Sequence, residues 1–469
     1  MRTENDSIGD LQIPDNAAYG IHALRAKENF INSGEKIHPY LIKAYLLVKK
    51  AAAITNSKIG LIEQNISEAI IDSIDDLLKE IEETIKNRGA SIYENIIVDP
   101  LQGGAGTSLN MNLNEVIANY SLKKLDYNYG DYSVIHPLDH INLSQSTNDT
   151  FPTALKIASV FLLKELQESY VYLQKALQRK EVEFKGIIKL GRTQYQDAVP
   201  ITLGQEFAAY AQAIARDRWR LYNAEERLRS VNLGGTAVGN SITADKKYVL
   251  EVINVLRKLS GTPIAKAEDL IDATQNMDVF VEVHGLVKAG AVSVQKMCND
   301  LRFLSSGPLG GIGEIYLPQK QAGSSIMPGK VNPVILENTI QICEMVKGND
   351  VVITNLAGNG HLELNAFTPM LAHLFLKSLS LLIKSNYNLS DNCIVGISAN
   401  VERCKENLIS SSAVAAALIP KFGYEKIEII AKQSYQNKRT FMEELLASEL
   451  IDEHELMKIL SKEIGIEFE

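Results

Sequence analysis

A short segment near residue 330 combines residue types that could do chemistry on a small anion. It reads GSSIMPGKVNP over residues 323–333. Lys330 is a point cation suited to a carboxylate, and Asn332, held extended by the proline that follows it, adds a directed hydrogen bond. Ser324 and Ser325 follow a glycine, where a serine can act as hydrogen-bond donor, nucleophile or base. The segment therefore predicts an anion site beside a reactive hydroxyl.

Other uses of this segment fit the residues less well. A phosphate-binding loop is excluded, because one residue too many separates the two glycines and Val331 takes the place of the hydroxyl after the lysine. A nucleophilic serine usually needs a histidine partner, and no pattern links a histidine to the segment. His136 and His140 are separated by a proline, and no HExxH motif occurs. We therefore expect no metal and no cofactor.

Three further polar segments lie where predicted helices begin or end. They read GGAGTS at 103–108, SQSTNDT at 144–150 and GRTQYQD at 191–197. Helix ends carry unpaired backbone groups and a dipole that favours anions at the amino end. Taken alone, each segment also fits a capping turn or a solvated loop, and the third is interpreted as a turn between two helices.

Composition bounds the classes of function. The chain has 469 residues, 45% hydrophobic and 22% charged, with a net charge of −9. This is typical of a globular protein and argues against a nucleic-acid binder. Neither a signal pattern nor an apolar run long enough for a bilayer is found, so we expect a cytoplasmic protein without membrane contact. The four cysteines have no ligand spacing and are interpreted as buried or incidental.

Hydrophobic periodicity predicts a mainly α fold, with only a short strand suggested at 18–21. The predicted helices cover 38–58, 62–87, 154–184, 204–232, 275–304, 333–356 and 367–390, then 411–419, 423–435 and 438–447 with Gly423 as a C-cap. Five of them are long enough to indicate a bundle. We predict three domains: a mostly helical N-terminal domain (1–140), a central five-helix bundle (141–396) and a small helical C-terminal domain (397–469).

The motifs resemble those of the aspartase/fumarase superfamily of lyases. Residues 323–333 are similar to its signature G-S-S-x-M-P-x-K-x-N-P, and the similarity continues through several other segments. These are QGGAGTSLNMNLNEVIAN (102–119), NLSQSTNDTFPTA (142–154), GRTQYQDAVPITLGQEF (191–207), GGTAVG (234–239), GNGHLELN (358–365) and, weakly, FGYEKIEIIAK (422–432). The resemblance implies a homotetramer with a 20-helix core, whose active sites are each shared by three subunits.

The resemblance also implies a reaction, the anti elimination across a C2–C3 bond of a succinyl-type substrate to give fumarate. Ser324 would be the base, on a mobile loop that closes over the substrate, and preorganised donors would stabilise an aci-carboxylate intermediate. The matching positions imply that Lys330 and Asn332 hold one carboxylate and that Asn148 faces the leaving group. The other carboxylate would receive hydrogen bonds from Thr107, Ser146, Thr147 and Ser325. Thr193 and Gln194 would complete the pocket, supported by Gly323, Met327 and Glu337.

Loss of ammonia from L-aspartate and loss of water from malate are the two activities that the resemblance allows most readily. Fumarases carry histidine in G-R-T-H, paired with a glutamate that corresponds to Glu337. This chain has Gln194, as some ammonia-lyases of the family do, while others have histidine. The forms GGAGT and STND also resemble ammonia-lyases more than hydratases. We therefore expect an ammonia-lyase, with fumarate hydratase as the alternative.

Two departures from the family pattern leave room for an unusual substrate. Residues 240–242 read Asn-Ser-Ile where relatives often have T-G-L, and Tyr195 replaces a usual leucine. A bulky succinylated substrate and a structural role without catalysis are further alternatives, and the intact Ser324, Lys330 and Asn332 argue against the latter. The sequence does not reveal activation by metals, the pH optimum, the resting position of the loop or how Ser324 loses its proton.

Overall fold

The chain is mainly helical, as the periodicity of its sequence predicts. The computed structural model describes residues 1–323 and 325–463. In chain order the α-helices are α1 (Ile21–Asn29), α2 (Pro39–Lys58), α3 (Gln64–Ile85), α4 (Ile92–Asn95), α5 (Thr107–Lys124), α6 (Thr147–Glu183), α7 (Leu203–Arg227), α8 (Lys246–Ser260), α9 (Leu270–Gln275), α10 (Asp278–Leu304), α11 (Val334–Gly358), α12 (Thr368–Asn392), α13 (Val401–Ser410), α14 (Val414–Phe422), α15 (Tyr424–Asn437), α16 (Phe441–Ala447) and α17 (Glu453–Glu463).

Short strands occur in two-stranded pairs. They are β1 (Arg2–Asp6), β2 (Gly9–Ile13), β3 (Ile188–Thr193), β4 (Gln196–Thr202), β5 (Ser230–Val231), β6 (Ala265–Lys266), β7 (Ile315–Tyr316) and β8 (Ser398–Ala399). The pair β5–β6 is parallel, whereas β1–β2, β3–β4 and β7–β8 are antiparallel.

The long predicted helices agree with the structure to within a few residues, except that α6 begins at Thr147, seven residues before its predicted start. The short strand suggested at 18–21 is wrong. Gly20 and Ile21 instead lead into α1, where their backbone N–H groups donate to Glu115 and Glu4, each at 2.9 Å. Glu115 is 95 positions from Gly20 in the sequence. A local sequence pattern therefore could not predict the start of α1. Gly423 ends α14 with a φ of 82°, and its N–H donates to the carbonyl of Ile419, which confirms the predicted C-cap.

The backbone forms two compact units, each assembled from separate stretches of chain. Unit 1 comprises Met1–Gln167, Trp219–Lys288 and Met345–Leu381, and unit 2 comprises Glu168–Arg218, Ala289–Glu344 and the described residues from Leu382 onward. The boundaries between the units fall inside the five long helices α6, α7, α10, α11 and α12. The division into three domains at 140 and 396 stays a prediction.

Within each unit the long helices contact one another. In unit 1, Phe280 of α10 meets Phe375 of α12 edge to face, and His284 of α10 bonds to Asp350 of α11 at 2.9 Å. In unit 2, Asn386 of α12 donates to Ser169 of α6 at 3.0 Å. Such pairings are what a helix bundle requires. Among the described helices, none is both long and apolar enough to cross a membrane.

Residues 191–197 form a β-hairpin, which corrects the interpretation of this segment as a turn between helices. Gln194 and Tyr195 occupy the two turn positions with φ of 54° and 61°, the left-handed values that a two-residue hairpin of this kind needs. The hairpin is anchored at its base by Glu314, which is fully buried. Glu314 accepts from Arg192 at 2.9 and 3.1 Å and pairs with the equally buried Lys189 at 3.1 Å.

The loop after β5 is the second place where the backbone takes unusual values. Thr236, Ser241 and Thr243 have φ of 58°, 61° and 78°, a region in which a Cβ atom is strained. Ser241 therefore occupies a left-handed position, and this is where relatives often have the glycine of T-G-L. The serine at position 241 is therefore tolerated at a cost in backbone strain, because a glycine would adopt the same φ freely.

Replacing Ser241 by glycine should stabilise the protein. The Ser241→Gly variant is expected to raise the free energy of unfolding by about 0.5–1 kcal/mol, because it removes the strain of the left-handed backbone. Thermal unfolding at a fixed scan rate measures the effect. The control is Ser293→Gly within α10, where glycine should instead destabilise by a similar amount. A lower midpoint for Ser241→Gly would contradict the strain argument.

Neutralising Glu314 should destabilise the protein strongly. Glu314→Gln keeps the shape but removes the buried counter-charge of Arg192 and one of the two carboxylates that pair with Lys189, which keeps Glu206 at 2.8 Å. We expect a loss of about 3–5 kcal/mol in the free energy of unfolding. The matched control is Glu282→Gln, which breaks the exposed pair with Arg227 at 3.0 Å and should cost less than about 1 kcal/mol. Urea unfolding of both variants tests this, and equal losses would contradict the structural role of the cluster.

Candidate active site

The residues predicted for the site fall into two groups, one in each unit. Unit 1 carries Thr107 and the run Ser146, Thr147 and Asn148, and unit 2 carries the hairpin tip and the segment 323–333.

In unit 1, Ser146 and Asp149 together cap the amino end of α6. The Ser146 hydroxyl accepts from the N–H of Asn148 at 3.2 Å, and the Asp149 carboxylate accepts from the N–H of Ser146 at 3.0 Å. This reciprocal arrangement satisfies backbone groups that a helix leaves unpaired. Residues 146–149 therefore form a capping turn, which holds Ser146, Thr147 and Asn148 in one fixed arrangement.

The second oxygen of Asp149 joins this turn to the segment 234–237. It accepts from the N–H groups of Gly234 at 3.0 Å and Thr236 at 2.9 Å. Burial raises the pKa of this carboxyl to about 6, although the three N–H groups act in the opposite direction. The amide of Asn148 donates to the carbonyl of Ala237 at 2.7 Å, so its side-chain oxygen is the atom able to accept a further hydrogen bond.

The glycine-rich segment 103–108 packs against the same turn. Gly106 has a φ of 92°, and a Cβ atom there would lie 2.2 Å from the ring of Phe151, so only glycine allows this approach. Thr107 is exposed at the first position of α5, and its hydroxyl donates to the carbonyl of Gly104 at 2.7 Å. Thr147, by contrast, is buried, and its hydroxyl accepts from the amide of Asn110 at 3.0 Å. Unit 1 thus brings three motif segments together.

In unit 2 the hairpin tip presents Thr193 and Gln194 on an exposed surface. The ring of Tyr195 meets Phe303 of α10 edge to face, with 4.9 Å between ring centroids. The neighbouring Arg302 pairs with Glu337 of α11 at 3.7 Å. The last turn of α10 therefore contacts both the hairpin tip and the first turn of α11, which follows the signature segment.

In the described part of the signature segment, Gly323 lies against Lys330, and residues 325–331 are open to solvent. A Cβ atom at Gly323 would overlap the carbonyl oxygen of Lys330, at 1.4 Å, so the two ends of the segment lie against each other. The N–H of Lys330 donates to the carbonyl of Met327 at 3.3 Å, and Ser325 and Lys330 are exposed while Asn332 is half-buried. Ser324, the predicted base, lies outside the described residues.

Sequence reasoning missed several buried polar residues beneath the unit 1 group. Lys49 is almost fully buried, and burial lowers the pKa of its ammonium to about 7. Asn110 and Asn142 lie beside it and bond to one another. Asn110 and Asn142 stand inside quoted motifs, but Lys49 is one of two adjacent lysines in an apolar helix and carries no motif signal. In the described ranges, no group of three or more His, Cys, Asp or Glu side chains could hold a metal ion.

Comparison with known proteins agrees with the motifs over most of the chain. Residues 9–348 match the lyase family model of the superfamily named above. The aspartate ammonia-lyase of Bacillus sp is 43% identical over 461 residues, which cover 98% of this chain and 96% of that protein. A crystal structure of fumarate lyase:delta crystallin from Brucella melitensis is 44% identical with a TM-score of 0.92, covering 98% of each chain.

A third relative lies further away in sequence but keeps the fold. The crystal structure of a class II fumarase from Schistosoma mansoni is 28% identical, with a TM-score of 0.88 and 98% coverage of both chains. The family match spans more than half of the chain, and the first relative exceeds 40% identity over nearly its full length. The chain therefore belongs to the aspartase/fumarase superfamily of lyases.

Proposed function

We propose that this chain is an aspartate ammonia-lyase, which reversibly eliminates ammonia from L-aspartate and gives fumarate. The observation that carries the proposal is the nearly full-length similarity to an enzyme of that name. Gln194 supports it, because a neutral amide offers hydrogen bonds to an amine or a carboxylate but lacks the imidazole linked to water activation in hydratases. The similarity to a class II fumarase keeps fumarate hydratase as the second candidate.

The proposed chemistry depends on stabilising charge at a carboxylate. Ser324 takes the proton from C3, and the electron pair moves into the adjacent carboxylate, forming an aci-carboxylate. The intermediate then collapses, the C2–N bond breaks and ammonia leaves with that bonding pair. Hydroxyl groups aimed at the developing charge lower the barrier because they need no reorganisation during the step.

The residues described above supply these groups. In unit 1, Ser146 and Thr147 lie on the capped turn of α6. Thr107 lies at the start of α5, where its hydroxyl would have to turn from the carbonyl of Gly104 to the substrate. These three residues are the proposed donors, together with Ser325 of unit 2, to the carboxylate that gains charge. The side-chain oxygen of Asn148, whose amide is already bonded to Ala237, is suited to the ammonium at C2.

The residues of unit 2 have the remaining roles in the proposal. Lys330 and Asn332 would hold the other carboxylate, and Thr193 with Gln194 would close the pocket from the hairpin tip. Met327 and Glu337 would support the segment, and Gly323 would act as its hinge. We further propose a homotetramer in which each active site takes residues from three subunits, with a dicarboxylate as the substrate and no cofactor.

The choice of substrate can be tested directly. The purified protein is given L-aspartate or L-malate in separate assays, and fumarate is followed by its ultraviolet absorbance. We expect fumarate from aspartate and little from malate, because Gln194 cannot activate water as an imidazole does. Fumarate from malate alone would overturn the assignment in favour of the hydratase. Fumarate from neither would favour a structural role.

The roles of Ser324 and Lys330 should separate in kinetics. Ser324→Ala is expected to lower kcat by roughly three orders of magnitude with little change in KM, because it removes a group that acts only in the transition state. Lys330→Ala should chiefly raise KM, because the cation binds substrate in the ground state as well.

Matched controls lie in the same unit. Ser412→Ala and Lys320→Ala alter an exposed serine and an exposed lysine outside the proposed site and should stay within about twofold of wild type. Near-normal turnover by Ser324→Ala would remove that serine as the base. An unchanged KM in Lys330→Ala would count against the carboxylate contact.

A further inference from the structure

A chain of hydrogen bonds leads from a buried lysine to the hydroxyl of Thr147. The ammonium of Lys49 donates to the side-chain oxygen of Asn142 at 3.0 Å. The amide nitrogen of Asn110 donates to the same oxygen at 3.1 Å and to the hydroxyl oxygen of Thr147 at 3.0 Å. The amide of Asn114 adds a further bond to Asn142 at 3.2 Å. These residues all belong to unit 1.

The lysine determines the direction of every bond in this chain. The protonated form of Lys49, which burial disfavours above a pH of about 7, has donors only, so the atom of Asn142 that faces it is then the oxygen, at 3.0 Å. The atom of Asn110 that faces this oxygen must then be the amide nitrogen, since two oxygens would repel. The same nitrogen faces Thr147, whose oxygen therefore accepts. A hydroxyl that accepts in this way keeps its own proton for a partner on the other side.

The orientation of Asn110 carries a cost, which indicates that it is held in place. Asn110 is 2% exposed, and among the described residues its carbonyl oxygen has no hydrogen-bond partner. An unpaired buried carbonyl costs about 1–3 kcal/mol. Asn142 has a weaker second restraint, because its amide donates to the backbone carbonyl of Gln145 at 3.3 Å. Without the lysine, the remaining restraints on the Asn142 amide are that long bond and the bonds from Asn110 and Asn114, whose own amides can rotate with it.

We propose that Lys49 is a positioning residue, which acts through Asn142 and Asn110 to present the Thr147 hydroxyl as a donor to the substrate carboxylate. The inference rests on the proposed function, because it needs an anion that gains charge in front of Thr147. Lys49 does not touch the substrate. Its effect is to fix which way the proton of Thr147 points before the reaction begins.

A double-mutant cycle tests the proposal. Wild type, Lys49→Met, Thr147→Val and the double variant are compared by kcat and KM with L-aspartate. Lys49→Met should lower kcat by about 10–100-fold, because a misdirected hydroxyl is a lost donor to the transition state. In the Thr147→Val background, where no hydroxyl remains, the same substitution should lower kcat by less than about threefold. Effects that multiply, or a Lys49→Met variant within about twofold of wild type, would overturn the proposal.

Control variants separate the proposed positioning role of Lys49 from general damage to the fold. Lys180→Met removes another buried lysine, which donates to the carbonyl of Ile397 at 2.7 Å, and it should leave kcat within about twofold. If Lys49→Met does not fold, Asn110→Leu replaces it in the cycle, because it breaks the same chain next to Thr147. In that cycle the same loss of effect in the Thr147→Val background supports the proposal, and independent effects overturn it.

The outcome also distinguishes this inference from the proposed function. If wild type converts aspartate and the variants at position 49 behave independently of Thr147, only the inference fails. If wild type converts malate instead, the assignment of substrate fails and the cycle is run with malate, which has the same carboxylate. If wild type converts neither, the proposed function fails and the inference fails with it.

Discussion

The buried carboxylate of Asp149 is the interaction on which the unit 1 group depends. Among the described residues it has no charged group within hydrogen-bond distance, and it is satisfied by three backbone N–H groups from two separate segments of chain. Such a group is costly to bury unless every partner is present, so both segments must be in place together. The amino end of α6 and the loop at 234–237 are therefore one structural element, although 85 residues separate Asp149 from Gly234.

Buried carboxylates hold distant segments together elsewhere as well. Glu115 accepts from the N–H groups at the start of α1, and Glu314 binds the base of the hairpin. This explains which parts of the fold the sequence could predict. Helices such as α3 follow from local periodicity, because their buried residues recur every three or four positions. The start of α1 and the hairpin at 191–197 could not be predicted, since both depend on partners far away in the chain.

The candidate site divides in the same way. The hydroxyl, amide and ammonium groups proposed for its surface could be named because their segments resemble the family motifs, whereas each of the three further polar segments taken alone also fits a capping turn or a loop. The buried residues beneath these groups, such as Lys49, could not be predicted from the sequence. Lys49 and Lys50 are adjacent in α2, and their sequence surroundings are alike, yet Lys49 is buried beside Asn142 whereas Lys50 pairs with Asp75. Only the rotation of the helix against its neighbours decides which lysine faces inward, and α2 is apolar on most of its surface.

The left-handed backbone at the hairpin tip limits how this surface can evolve. At position 194 the φ of 54° disfavours β-branched residues and favours glycine, asparagine, aspartate and histidine, with longer unbranched polar side chains tolerated. Valine, isoleucine and threonine can occur there only at a cost in backbone strain, as Thr236 and Thr243 do elsewhere in the chain. Sequence divergence at position 194 is therefore largely confined to a few polar side chains. A single replacement among them can change the group offered to a leaving ammonia or water and leave the hairpin backbone unchanged.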